Sequence, residues 1–270
     1  MMTNRKPLKK WQWLLIGVAG VLLLLLVGRP TARWLWHTLS PAGEEQAMLP
    51  YGELRVGIDA SYPPFGLDIN GDLSGLDVDL AEAVAAELNV PLRFINMGYD
   101  GLYDSLKADQ ADALFSALRV DPLRFNDARY TRSYFDAGQV LVRPPGSSIN
   151  TMHDLEGRWL AVEFGTEGDL EARTWQRRLH QIDIAPFEVA VQALDAVLAG
   201  QADAALVDAI SAHLWLNDHE GLAISPIYVT HDLYAVAVQV NNVKLWQAID
   251  QALTTLIEDG TIDEIIARWL

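Results

Sequence analysis

From Leu54 onward, short apolar runs alternate with segments whose apolar residues recur every three or four positions. This alternation of strand and helix patterns predicts an α/β fold. Leu54-Arg55-Val56-Gly57-Ile58 reads as a first strand, Ala81 through Leu88 as a helix, and Leu92-Arg93-Phe94-Ile95 as a second strand. Ahead of this body, Trp11 through Val27 make a continuous apolar run in which Gln12 is the only strongly polar residue. A run of about 17 residues is at the lower limit for a helix that spans a bilayer. The segment that follows carries Pro30, Pro41, Gly43 and Pro50 and reads as a linker.

An internal echo divides the body. Leu106-Lys107-Ala108-Asp109-Gln110-Ala111-Asp112-Ala113-Leu114-Phe115-Ser116-Ala117 parallels Leu198-Ala199-Gly200-Gln201-Ala202-Asp203-Ala204-Ala205-Leu206-Val207-Asp208. Each copy reads as a helix end, a Gln-Ala-Asp-Ala turn, a buried strand and a residue at that strand's carboxyl end. A second echo sets the strand ending in Asp59 beside the strand Arg158–Val162, which ends in Glu163. Two similar α/β units are expected, about 100 residues apart. Ligands of open α/β sheets sit at the carboxyl ends of strands. Two such units facing each other would make a cleft, with Asp59, Ala117, Glu163 and Asp208 pointing into it.

Charge changes the picture in two ways. Residues 1–45 hold six Lys and Arg against two Glu, a net of +4, so the remainder carries −16 − 4 = −20. A body that acidic repels nucleic acid and anionic lipid. The basic cluster Arg5-Lys6 and Lys9-Lys10 ahead of the apolar run is expected to stay in the cytoplasm, which puts the body outside. A cleaved signal peptide is the alternative to an uncleaved anchor. No small-x-small site lies just after Val27, and Ser40-Pro41-Ala42 is far downstream, so the anchor is preferred. The chain has no cysteine, which excludes disulfides, a thiol nucleophile and a lipid-modified Cys. The six histidines are dispersed without ligand spacing. No metal and no cofactor are expected.

The ordered motifs then carry a resemblance. They are Asp59-Ala60-Ser61-Tyr62-Pro63-Pro64-Phe65, Gly71 through Leu80 and Arg119-Val120-Asp121-Pro122-Leu123-Arg124, with Tyr130 through Phe135 after them. Asp154-Leu155-Glu156-Gly157, Gly165-Thr166, Ala202-Asp203-Ala204 with Asp208, and Asp259-Gly260-Thr261 through Trp269 complete the set. In this order they resemble the polar amino-acid-binding proteins of ABC importers, the extracellular solute-binding proteins of family 3. The resemblance covers nearly all of residues 51–270. It implies a two-lobed type II periplasmic-binding fold with an interlobe cleft. The implied organisation is a basic stub and membrane helix over residues 1–28, a linker over 29–50, lobe 1 over 51–135, lobe 2 over 138–226 and a return to lobe 1 over 232–270. Closure of the lobes over a solute is the implied motion.

The resemblance also implies roles. Arg124 matches the arginine for the solute α-carboxylate, and a planar guanidinium grips a carboxylate bidentately. Asp208 matches the acid for the α-ammonium. It also reads as the N-cap of a helix over Ala209-Ile210-Ser211-Ala212, and the two roles are compatible. Thr166 is expected to cap a helix, with Asp169 at its third position and free N–H groups beside a carboxylate. Tyr62 and Tyr99 match aromatics that stack on the solute. Asp59 matches an acid that reads an ammonium, guanidinium or amide. Arg119 stands where relatives usually carry a small Ser or Thr, and Ala117 replaces a common Gly or Ser. Arg119 and Glu163 either pair across the closed cleft or read an extra acid and an extra amine.

The expected function is the extracytoplasmic binding component of an ABC importer. Its solute is a polar amino acid or similar zwitterion, its partners are permease subunits, it is a monomer, and it catalyses nothing. Two rivals share the fold. One is a cyclohexadienyl-dehydratase-type enzyme, in which Glu163 would act as general acid. The other is a sensing module acting on a membrane receptor, against which the roughly ten basic-end residues are too short for an output domain.

Overall fold

The computed structural model describes residues 48–270. The expected membrane helix and most of the linker lie outside the described residues. Among the described residues no helix is long and apolar enough to cross a membrane.

The chain runs β1 (Leu54–Ile58), β2 (Ser61–Tyr62), β3 (Gly66–Ile69), β4 (Asp72–Ser74), α1 (Leu76–Glu87), β5 (Leu92–Asn96), α2 (Leu102–Lys107), β6 (Ala113–Leu114), β7 (Ala128–Asp136) and β8 (Gln139–Arg143). It continues with β9 (Arg158–Glu163), α3 (Glu167–Gln176), β10 (Ile182–Phe187), α4 (Ala190–Leu198), β11 (Ala204–Asp208) and α5 (Ala209–Asp218). It ends with β12 (Ala223–Tyr228), β13 (Leu233–Gln239), α6 (Val243–Glu258) and α7 (Thr261–Trp269). Helix α1 begins five residues before the expected Ala81. Gly75 precedes it with φ 134°, and Asp77 and Asp79 complement the positive end of the helix in its first turn.

Two five-stranded sheets share one plan. The first has the order β5-β1-β6-β13-β7 and the second the order β10-β9-β11-β8-β12. In the first, β1 is parallel to β5 and β6, and β13 runs antiparallel to β6 and β7. In the second, β9 is parallel to β10 and β11, and β8 runs antiparallel to β11 and β12. The echoed segments fall on equivalent strands, β6 with β11 and β1 with β9. Their central strands are buried on both faces, so they read as continuous apolar runs rather than alternating ones.

The chain passes between the sheets twice, after β7 and before β13. Asp136 Oδ1 accepts from Gly138 N at 3.0 Å and from Asp232 N at 2.9 Å, so one carboxylate ties the two crossings. The second oxygen of Asp136 meets His231 Nδ1 at 2.5 Å. A Cβ on Gly138 would sit 2.0 Å from the Thr230 carbonyl oxygen, so only glycine lets the crossing strands approach this closely.

Candidate functional site

A pocket of about 370 Å³ opens at the carboxyl ends of β1 and β6. Its lining is Asp59, Ser61, Tyr62, Tyr99, Ser116, Ala117, Arg119 and Tyr234. Five residues singled out from the sequence therefore meet there: Asp59, Tyr62, Tyr99, Ala117 and Arg119.

Asp59 organises one wall. Its Oδ1 accepts from Ser61 N at 3.0 Å and Ser61 Oγ at 2.6 Å, and its Oδ2 accepts from Tyr99 N at 2.9 Å. These three bonds leave lone-pair capacity on the carboxylate, which has about four acceptor positions. Tyr62 stacks on Phe65 with centroids 5.6 Å apart and planes 8° apart. Tyr62 and Tyr99 are 48% and 53% exposed, so both rings remain open to a ligand instead of packing into the core.

The floor is a turn after β6. Asp59 N donates to Ser116 Oγ at 3.0 Å. Ala117 has φ 47°, in the left-handed region that a residue with a Cβ visits rarely. Its N–H donates to Asp77 Oδ2 at 2.6 Å, and the Tyr134 hydroxyl donates to Asp77 Oδ1 at 2.6 Å. Asp77 is fully buried, and desolvation pushes its carboxyl up to about 7 against the opposing pull of the hydrogen bonds from Tyr134 and Ala117.

Arg119 forms the wall nearest the crossings. Its Nη2 donates to Asp232 Oδ2 at 2.5 Å, and its backbone bridges Tyr234. Its ion-pair partner here is Asp232. The reason is local: the bridge to Tyr234 brings the start of β13 alongside Arg119, and Asp232 immediately precedes that strand.

Four expected residues lie outside the pocket lining. Arg124 closes a short turn, Pro122–Arg124, capped by Asp121, whose Oδ1 accepts from Leu123 N at 2.9 Å. Its guanidinium lies 4.7 Å from the Tyr103 ring centroid and 3.5 Å from Asp127 Oδ2. Glu163 ends β9, and its carbonyl accepts from Thr166 Oγ1 at 2.8 Å. Thr166 caps α3, and Asp169 Oδ2 accepts from Gly165 N at 3.1 Å. Asp208 ends β11 and caps α5, accepting from Ser211 N at 2.8 Å and Ser211 Oγ at 2.7 Å. Glu163 and Asp208 thus end neighbouring parallel strands of the second sheet, and Thr166 follows β9 by three residues.

Sequence reasoning missed Ser116, Tyr234, Asp77 and Asp232. Ser116 adjoins a residue singled out by the echo and was within reach of that signal. Asp77 reads locally as a helix-start acid, which hides its bond to Ala117. Tyr234 and Asp232 arrive from more than 110 residues away and carry no local signal. Among the described residues no group of three or more His, Asp and Glu gathers to hold a metal ion.

Comparison with known proteins adds to this geometry. The profile of the bacterial extracellular solute-binding proteins, family 3, matches residues 54–270. The putative ABC transporter arginine-binding protein 2 of Escherichia coli strain K12 is 28% identical over 222 residues, covering 80% of this chain and 90% of that protein. The lysine/arginine/ornithine-binding periplasmic protein of the same strain is 28% identical over 242 residues, covering 86% and 92%. The crystal structure of the L-cystine solute receptor of Neisseria gonorrhoeae, unliganded and open, gives a TM-score of 0.69 at 24% identity, covering 82% of this chain and 94% of that one. That likeness shows the fold, two lobes of the type II periplasmic-binding kind, one around each sheet.

Proposed function

The chain belongs to the bacterial extracellular solute-binding proteins, family 3, and from that premise we propose that it is the extracytoplasmic binding component of an ABC importer, with a cationic amino acid as its solute. The observation that carries the choice of solute is Asp59, whose carboxylate has acceptor capacity left in the pocket that the exposed Tyr62 and Tyr99 also line. A guanidinium or ammonium on an aliphatic stem fits that setting. The charge satisfies the acid, and the rings cover the stem and favour the cation. Relatives whose names record binding of arginine, or of lysine, arginine and ornithine, support the same reading.

The pocket holds the solute's side chain, and lobe closure completes the grip. Arg124 takes the α-carboxylate and Asp208 the α-ammonium, with Thr166, Glu163 and the start of α3 closing the second side. Rotation about the two crossings beside Gly138 and Asp232 supplies the motion. Sequestering an unchanged solute needs no bond-making group, and the clamp is built for a zwitterion. The apolar run Trp11–Val27 and its basic flank tether the monomeric body beside permease subunits.

A thermal-shift screen of the full chain against the amino acids, polyamines and small carboxylates tests this reading. L-Arginine or L-lysine should raise the melting temperature, because a ligand that binds only the folded state stabilises it. No shift with any amino acid, or turnover of prephenate or arogenate, would overturn it.

A further inference from the structure

Behind the pocket floor lies a carboxylate that touches no solvent. Asp77 is 0% exposed, and it faces two donors, Ala117 N and the Tyr134 hydroxyl, each at 2.6 Å. Burying a charge there costs stability, because desolvation disfavours the ionised form. A helix-start acid needs only exposure at the first turn, so helix capping does not account for its depth. Its bond to Ala117 does. Ala117 holds φ 47° while lining the pocket, a conformation that is strained for a residue with a Cβ and persists only where its surroundings enforce it. The next residue back, Ser116, accepts from Asp59 N, and Asp59 in turn fixes Ser61 and Tyr99. One buried carboxylate therefore supports the turn on which the acidic end of the pocket rests.

We propose that Asp77 is a positioning residue for solute binding, which locks the left-handed turn at Ala117 and through it sets the place of Asp59 and Tyr99. The proposal rests on the solute reading above for its affinity readout only. The titratable groups against Asp77 are Tyr134 and, beside Tyr134, Tyr234. Burial pushes both phenols above their ordinary value, so neither charges near neutral pH. The Asp77 proton is then the variable of this cluster, and burial places its loss at about pH 7. Ionised, Asp77 makes a charge-assisted bond to Ala117 N. Protonated, it makes a weaker one. Solute affinity should therefore fall as pH drops through 7.

Calorimetry on the full chain with L-arginine from pH 5.5 to 8.5, paired with NMR of the Ala117 amide proton, tests the proposal. Wild-type affinity should weaken about tenfold from pH 8.5 down to pH 5.5, the size of one charge-assisted hydrogen bond becoming neutral. Asp77→Asn should match the wild type at pH 5.5 and stay flat above it. Asp77→Ala should bind at least as weakly, and Ala117→Gly in that background should restore affinity, because glycine adopts the turn unaided. The wild-type Ala117 amide proton should lie downfield and move with pH, and it should be still in Asp77→Asn. Wild-type affinity in Asp77→Ala at pH 8, no rescue by glycine, or an Ala117 amide indifferent to pH and substitution would overturn the role. If Asp77→Ala does not fold, Asp77→Asn and the amide proton decide. If the wild type binds no amino acid, the solute reading fails, and the amide proton alone decides on Asp77.

Discussion

Arg119 Nη2 and Asp232 Oδ2 lie 2.5 Å apart, joining a wall of the first-sheet pocket to the second segment that crosses between the sheets. Asp232 N donates in turn to Asp136, the carboxylate that ties the first crossing. The pair is open on the arginine side, with side-chain exposures of 63% and 14%. Its direct contribution to stability should be about 0.5 kcal/mol, as for most exposed ion pairs. Its effect on closure should be larger. Arg119→Ala and Asp232→Ala should each change L-arginine affinity, and the double variant should change it by less than their sum. A double-mutant cycle by calorimetry checks this. Strict additivity would show that the pair does not couple pocket and crossing.

Arg124 and Asp208 differ in what else they do. Asp208 caps α5, so Asp208→Ala should lose about 0.5–2 kcal/mol of stability with the cap. It should also lose on the order of 2–5 kcal/mol of solute affinity with the charge. Ser211→Ala leaves the carboxylate in place and should spare most of the affinity. Arg124 packs on Tyr103 and near Asp127 at the surface, so Arg124→Ala should cost affinity on the same scale with little change in melting temperature. Equal affinity in wild type and Arg124→Ala would remove Arg124 from the site.

Asp77 makes stability depend on pH in a definite direction. Burial raises its carboxyl from 3.8 to about 7. Between those values the folded state keeps a proton that the unfolded state has lost, so stability falls as pH rises from about 4 to about 7 and is level beyond. Asp77→Asn removes the ionising group. It should be more stable than the wild type at pH 8, by of order 1–4 kcal/mol, and the two should converge near pH 4. Urea unfolding at the two pH values measures this. A variant less stable than the wild type at pH 8 contradicts it.

The two Gln-Ala-Asp-Ala turns do the same work at different depths. Asp112 accepts from Arg55 N at 2.9 Å and pairs with the Arg55 guanidinium at 2.7 Å. Asp203 accepts from Trp159 N at 2.8 Å and pairs with Arg158 at 3.1 Å. The first pair is buried, with exposures of 8% and 1%, and the second is open, at 48% and 32%. Removing Asp112 leaves the Arg55 N–H and Nε–H without their acceptor at a buried site, although Asp109 still faces the guanidinium at 2.8 Å. Asp112→Ala should therefore cost about 2–4 kcal/mol, for two buried donors left unpaired, and Asp203→Ala about 1–2 kcal/mol, mainly for the backbone N–H left unpaired. Chemical denaturation of both variants checks the difference, and similar losses would show that burial does not separate them.

The same turns show how far the sequence reaches. Asp112 and Asp203 each sit one residue before a strand and bond the neighbouring strand, so a local pattern fixes a local geometry twice. Periodicity and the echo therefore determined β1, β5, β6, β9 and β11, the paired α/β units and the carboxyl-end positions of Asp59, Ala117, Glu163 and Asp208. Each of those features depends on residues a few positions apart, where backbone hydrogen bonding and side-chain period decide the outcome. Tertiary structure alone decided that Arg119 pairs with Asp232, that Tyr234 lines the pocket, and that Asp77 holds Ala117 from behind. These contacts join residues 40 and 113 positions apart in sequence. A carboxylate at a helix start looks the same in sequence whether it faces water or a buried N–H. Only packing chooses its partner, and with it the depth, the charge state and the work of the residue.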